Sequence, residues 1–486
     1  MPNAIAYLAL LAWPMVCLVM FRTLRVERAL IWSIVGGYLL LPPLAEFNLP
    51  LVPALDKVSI PSVAALAILV LATSHKVHLW PEGRVARVLV VGFVLCAVPT
   101  VMTNREPIFF EVLSNADPIL FLVDALPGQS IRDIGSVLIA QMLVLVPFLL
   151  ARQFLSTEEG LRDVLVVLML AGCAYSVLAL IEIRFSPQMN VWTYGFFQHS
   201  FAQTIRGGGY RPIVFLPHGL WLALFFCTSM MAAVALARVT PKLDRWKALG
   251  VALYLFAILI LCKSAAAAAY GVLLLPVVLF APRRWQIALA TCFALVAVTY
   301  PMLRNLGAIP TEQIVAQIET VNPARAQSLE YRFDNEEQLL GRAAQKPLFG
   351  WSGWGRSLIR DAETGQILSI PDGRWIIVFG SFGWLGYLCE FGLLSLPILL
   401  LARNAWRRDH AAALSPYIGV MALILGITLM DMLLNATLTP VTWLCAGAVL
   451  GYAERLNPRR AVRPRHALRH RPLMDGPASV GKRTIL

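Results

Sequence analysis

Apolar runs of about 17–25 residues recur from one end of this chain to the other, each closed by a polar link. A run of that length crosses a hydrocarbon core of about 30 Å as an α-helix. The pattern predicts thirteen spans, at roughly 4–21, 28–45, 59–74, 84–102, 134–154, 162–182, 213–237, 247–262, 265–281, 285–303, 375–402, 413–434 and 438–454. The first run, Ala4 to Phe21, lacks a basic n-region and a small-residue cleavage site, so it reads as a retained span rather than a signal peptide. Three polar stretches stand out by length: 103–133, 183–212 and, longest of all, 304–374. Within the last, Leu329, Phe333, Leu340 and Ala344 recur on one helical face, and Pro347 stops the pattern. A Gly/Trp turn cluster follows, PLFGWSGWGRS, and then IPDGRW closes the stretch.

Composition agrees with a membrane chain. Its 486 residues are 58% hydrophobic and 14% charged, where a soluble globule carries about 25% charged residues. The net charge of +13 could suggest nucleic acid, but its distribution argues otherwise. About 26 of the 41 Lys and Arg fall in alternate links and in the tail from Arg455 onward. By the positive-inside rule that set is cytoplasmic, the N-terminus and the three long loops lie outside, and the tail lies inside. The tail, 455–486, is basic without apolar periodicity and is expected to be disordered and drawn to the anionic inner leaflet. The organisation is therefore a bundle of ten spans over 1–303, a large outer loop over 304–374, three spans over 375–454, and the tail. The eight cysteines lie in or at the ends of apolar runs with no ligand spacing, so neither a disulfide framework nor structural zinc is expected.

Three groups of residues could carry chemistry. The first is Arg332 on the loop helix, with Tyr331, Arg342, Lys346 and Arg356. Arginine presents a planar fork suited to phosphate or carboxylate oxygens, although solvated charges on an interfacial helix fit the same pattern. The second is RGGGYRPIVFLPHGLW, with Arg206, Arg211 and His218. A cation entering a span needs a partner or a wet cavity unless it snorkels to the headgroups, and His218 could equally be a satisfied core histidine. The third is SIPDGRW running into a span, with Asp372 and Arg374. Asp372 could be a turn or cap residue as readily as a base. Glu390 sits near the middle of that predicted span, far from the outer loops, and reads as a structural partner. Asp431 and Asn435 bracket the outer end of another span and could line the same cavity. No Walker motif, dinucleotide fingerprint, DxD pair or HExxH occurs, so no cofactor and no catalytic metal are expected.

Taken together these pieces resemble the O-antigen ligase and surface-polysaccharide polymerase superfamily. The Arg-containing motif entering a mid-chain span has its counterpart in Arg211-Pro-Ile-Val-Phe215-Leu-Pro217-His218. The loop-helix arginine and its closing turn have theirs in Arg332 and in Pro347-Leu348-Phe349-Gly350-Trp351-Ser352-Gly353-Trp354-Gly355. The resemblance covers roughly 205–400. It implies an all-α, GT-C-like, polytopic protein of the bacterial inner membrane. It implies a metal-independent, inverting glycosyltransferase that moves a glycan from undecaprenyl diphosphate to an acceptor sugar hydroxyl. Membrane lipids and other polysaccharide-assembly proteins are the expected partners. Arg211 and Arg332 would hold the diphosphate, while Arg206, Tyr331, Arg356, Arg374 and His218 would contact substrate. The family's late-loop histidine is missing between Arg304 and Trp375, which leaves Asp372 or His218 as base, Asp372 favoured, and shifts the expectation toward a polymerase. The reading from another class is a flippase for a lipid-linked saccharide. Such a protein should line a continuous polar path through several spans, whereas here polar residues crowd the outer loops.

Overall fold

A computed structural model describes residues 1–48, 53–113, 120–406 and 414–456. A helix falls on each of the thirteen predicted apolar stretches. They are α1 (Ala4–Thr23), α2 (Val26–Leu40), α3 (Ser59–Leu71), α4 (Arg84–Leu95) continued by α5 (Ala97–Met102), α6 (Ile131–Phe154) and α7 (Glu158–Phe185). After a short α8 (Met189–Tyr194) come α9 (Gly219–Val239), α10 (Lys242–Leu261), α11 (Ala265–Phe280) and α12 (Arg283–Asn305). The large loop holds α13 (Thr311–Val321) and α14 (Pro323–Ala344), and the chain closes with α15 (Arg374–Ala405), α16 (Ile418–Leu434) and α17 (Pro440–Arg455). Seven of these, counting α4 with α5, are long and apolar enough to cross a membrane. The protein is an all-α, multi-pass membrane protein. The basic tail lies outside the described residues from position 457 on.

Tertiary contacts sort the links into two ends. At one end Arg152 pairs with Glu454 at 3.0 Å, and the same carboxylate receives the backbone N–H groups of Glu82 and Gly83. Arg28 meets Asp163 and Arg25 meets Glu159 at 3.0 Å each. All are links predicted to be cytoplasmic. At the other end Lys346 reaches Thr103 and Asn104, Lys57 reaches Phe215, and Lys263 reaches Arg206. All of those are predicted outer. The helices close up through small residues. Gly447 and Gly451 form a GxxxG step on α17, and a Cβ at either would lie 2.1 Å from a backbone carbonyl oxygen of α6, that of Phe148 or Arg152.

The three long loops have more order than expected. Loop 103–133 carries an antiparallel hairpin of β1 (Ile108–Leu113) and β2 (Leu120–Leu126). Loop 183–212 carries α8 and a second hairpin, β3 (Ile205–Arg206) and β4 (Gly209–Tyr210). Gly207 and Gly208, at φ of 52° and 70°, supply the two left-handed positions of its turn. Loop 304–374 contains two helices rather than one. Asn322 caps α14 through its side chain, and Pro323 fits the first turn.

The predicted span 375–402 is broken. Gly383 has φ 62° and ψ −162°, a conformation that essentially only glycine adopts. Arg374 and Glu390 on an unbroken helix would stand about 24 Å apart along the axis. Instead their side chains meet in a bidentate pair at 2.6 and 2.7 Å, so the first half folds back on the second. The Pro347–Ser352 turn seals the break from both sides. Trp351 and Ser352 donate their N–H groups to the carbonyls of Gly380 and Ser381. Trp384 and Leu385 donate theirs to the carbonyls of Pro347 and Leu348. A Cβ at Gly383 or Gly350 would lie 2.4 Å from the opposing backbone, so the two segments approach only through glycine. The expectation that Glu390 lies far from the outer loops is corrected, because the break brings it to Arg374.

Glu390 is 1% exposed, and removing its charge strands the Arg374 cation. A loss on the order of 3 kcal/mol is expected for Glu390→Gln. Membrane abundance and thermal midpoint should both fall, and Arg374→Gln added to it should recover part of the loss. A well-expressed Glu390→Gln protein with an unchanged midpoint would show that the pair does not brace the break.

Candidate functional site

The stretch 211–218 leads into α9 without being helical, and its backbone groups need partners. Glu182 Oε2 accepts from Ile213 and Val214 at 2.7 and 2.8 Å, and Tyr175 Oη accepts from Phe215. Gln198 donates to the carbonyls of Val214 and Leu216, and Lys57 donates to that of Phe215. Val214 takes a left-handed φ of 56° within this cradle. Sequence reading passed over Glu182, Gln198 and Lys57. They are the groups that hold Arg211 and His218 in place.

Arg211 is 8% exposed and has no carboxylate partner among the described residues. Its Nη2 donates to the Lys263 carbonyl at 3.1 Å, and its Nε is buried without a partner. Gly219 is required beside it, since a Cβ there would meet the Arg211 stem at 2.5 Å. Burial, with Arg206 and Arg332 close by, pushes the Arg211 guanidinium down to about 10. A buried cation next to two further cations is poorly compensated, and an anion placed beside it would offset the cost of its burial.

His218 caps α9. Its Nδ1 accepts from the Leu220 N–H at 3.0 Å, and its ring lies 4.5 Å from that of His199. The ring is thus neutral, and with Nδ1 accepting, the proton sits on Nε2. That nitrogen is a hydrogen-bond donor rather than a base.

Arg332 enters from α14. Its Nε lies 3.4 Å from Asp372 Oδ2, and its Nη1 lies 3.4 and 3.3 Å from the Leu434 carbonyl and Asn435 Oδ1. These are long contacts on a side chain 27% exposed. Arg332 and Asp372 share the wall of a small cavity, with room for about one water molecule, with Glu336 and Ile370. Burial raises the Asp372 carboxyl, and Arg332 pulls it part of the way back. Asp431 is 4% exposed and receives Asn435 Nδ2 at 3.0 Å and Thr437 Oγ1 at 2.7 Å. It thereby turns the Asn435 carbonyl oxygen toward Arg332. Glu336 locks α14 against the bundle by accepting from Tyr300, Arg304 and Trp375.

The expected arginine patch around Arg332 divides. Arg356 is 2% exposed and donates to the Pro127 and Glu106 carbonyls, clamping both feet of the β1–β2 hairpin. Arg342 and Lys346 lie over the Trp351 ring at 3.4 and 4.4 Å. Arg374 is held by Glu390. Arg374 is thus paired with a carboxylate, and Arg356 braces the hairpin through two carbonyls while its Nε stays buried without a partner. Tyr331 stays half exposed beside Arg332, and Arg206 stays exposed on the β3–β4 hairpin. Arg206 and Arg211 are linked through Lys263, Arg332 is linked to Asp372, and the charges of Arg206 and Arg332 are felt at Arg211. No protein-family model matches the chain, and no curated protein matches it.

The Asp431–Asn435 step carries a consequence for Arg332. In Asp431→Asn and Asn435→Ala the guanidinium loses its oriented acceptor, and affinity for inorganic pyrophosphate, measured by calorimetry in detergent, should fall about tenfold. Unchanged affinity in both variants would show that this pair does not tune Arg332.

Proposed function

We propose that this chain is an inverting glycosyltransferase of the bacterial inner membrane, acting on its outer face. It moves a glycan from undecaprenyl diphosphate to an acceptor sugar hydroxyl, as a polymerase in preference to a ligase. The observation that carries this reading is Arg211, buried with an unpartnered Nε and repelled by the charges of Arg206 and Arg332. Desolvating an unpaired cation is costly, and a diphosphate restores the balance. The charge on that diphosphate grows as it leaves, so preplaced guanidinium groups stabilise the transition state more than the ground state.

The reaction is a single displacement. The acceptor oxygen attacks the anomeric carbon, the bond to the diphosphate oxygen breaks, and undecaprenyl diphosphate departs. The hydroxyl proton passes to Asp372. General-base catalysis of this kind is worth about 10²–10⁴-fold. Asp372 fits the role because it is partly buried, partly open to the cavity, and adjacent to a cation that holds the leaving group. The hydrogen bond at His218 Nδ1 speaks against that residue as the base. In this reading the chain crosses the membrane thirteen times, with the N-terminus periplasmic and the C-terminus cytoplasmic, and all of these groups lie outside. Membrane lipids and other polysaccharide-assembly proteins are its partners.

Orientation is checked by alkaline phosphatase fusions. A fusion after Gly307 should be active and one after Leu456 inactive, and the reverse pattern would sink the mechanism with the topology. The reaction is checked with purified protein and an undecaprenyl-diphosphate-linked repeat unit, without ATP. Chain growth is expected in the wild type and lost in Arg211→Ala and Arg332→Ala, with poor rescue by lysine because a point charge cannot make bidentate contacts. Asp372→Asn should retain donor binding and lose about a hundredfold in rate. Because burial raises Asp372, the acidic limb of the wild-type pH profile should lie above the ordinary aspartate range near 3.9, and activity should fall as pH drops through it. Lipid movement across vesicles with no product would favour the flippase instead.

A further inference from the structure

We infer that Lys263 is a positioning residue for this anion site, fixing Arg206 and Arg211 in one frame; the inference rests on the diphosphate reading above. Lys263 stands in the link between α10 and α11, a stretch that no sequence motif singled out. Its backbone is left-handed, at φ 52°, which is rare for a residue with a long side chain. That turn points two groups of one residue at two parts of the site. Its carbonyl accepts from Arg211 Nη2 at 3.1 Å. Its ammonium donates to the carbonyls of Arg206 and Gly207 at 2.7 and 3.3 Å. The β3–β4 hairpin, which carries Arg206, is therefore pinned to the same residue that holds the buried guanidinium.

The glycine run acquires a second explanation here. Gly207 and Gly208 make the turn, and a Cβ on either would meet nothing within 4 Å, whereas a Cβ on Gly209 would lie 2.6 Å from Lys263 Nζ. The third glycine is the space the ammonium passes through. Arg206 and Arg211 repel each other, and a two-residue hairpin alone is weakly held. Two charge-assisted hydrogen bonds from one ammonium oppose that repulsion without adding an acidic group that would compete with the ligand.

The test is binding of undecaprenyl diphosphate to the full-length protein in detergent, with undecaprenol as the phosphate-free control. Lys263→Gly keeps the left-handed backbone and the carbonyl used by Arg211 but removes the ammonium, and Lys263→Met removes it with a side chain retained. Both should weaken undecaprenyl diphosphate by about tenfold or more and leave undecaprenol unchanged. Lys263→Arg should recover most of the affinity. Gly209→Ala, which alters no charge, should reproduce the loss by displacing the ammonium. A wild type that binds undecaprenyl diphosphate, with Lys263→Gly and Gly209→Ala binding it equally well, would overturn the role of Lys263 and leave the diphosphate reading standing. Failure of Lys263→Arg to recover affinity would also count against a positioning cation. A wild type that binds no undecaprenyl diphosphate would overturn both.

Discussion

Backbone polar groups in a membrane protein must find partners inside the protein, and this structure turns on the two places where helix does not provide them. One is the break at Gly383, where the Pro347–Ser352 turn supplies donors to one half-helix and acceptors to the other. The second is the 211–218 stretch, where Glu182, Gln198, Tyr175 and Lys57 take over the same duty with side chains. Both irregular segments deliver charged groups to one end of the bundle. The break sets Asp372 at the start of a half-helix, and the stretch sets Arg211 and His218 at the start of α9. Irregular backbone is tolerated in a membrane protein where it is enclosed by protein, as Val214, Leu216 and Gly383 are here.

Charge pairing then separates scaffold from site. Arg152, Arg304 and Arg374 each face a carboxylate at 3.0 Å or less, and Arg356 faces two carbonyls. Those cations are spent on holding segments together. Arg211 has one carbonyl and a stranded Nε, and Arg332 has only contacts of 3.3 Å or longer. The distinction is physical rather than positional, since Arg332, Arg342 and Arg356 all lie within the same outer loop. A guanidinium paired with a carboxylate is charge-compensated, and one that is buried against a single carbonyl gains more from an anion.

The amino-acid sequence by itself determined the class and the layout. Apolar runs placed a helix on every predicted stretch, because run length and hydrophobicity are local quantities. The alternation of basic links also foretold which links meet at which end, as the Arg152–Glu454 and Lys346–Asn104 contacts report. Arg211, Arg332 and Asp372 were legible as unusual residues at span mouths. Tertiary structure alone decided what each of them touches. Nothing local distinguishes Arg356 from Arg332, and only the path of loop 103–133 gives the former its two carbonyl acceptors. Glu390 looked remote because sequence distance was taken for helix length, and a single glycine with φ 62° undid that. Lys263 and Glu182 carried no local signal, since their work is done across 52–57 and 31–32 residues of chain. Partners at such separations are chosen by packing, and packing is the one thing a linear pattern of polar and apolar positions does not encode residue by residue.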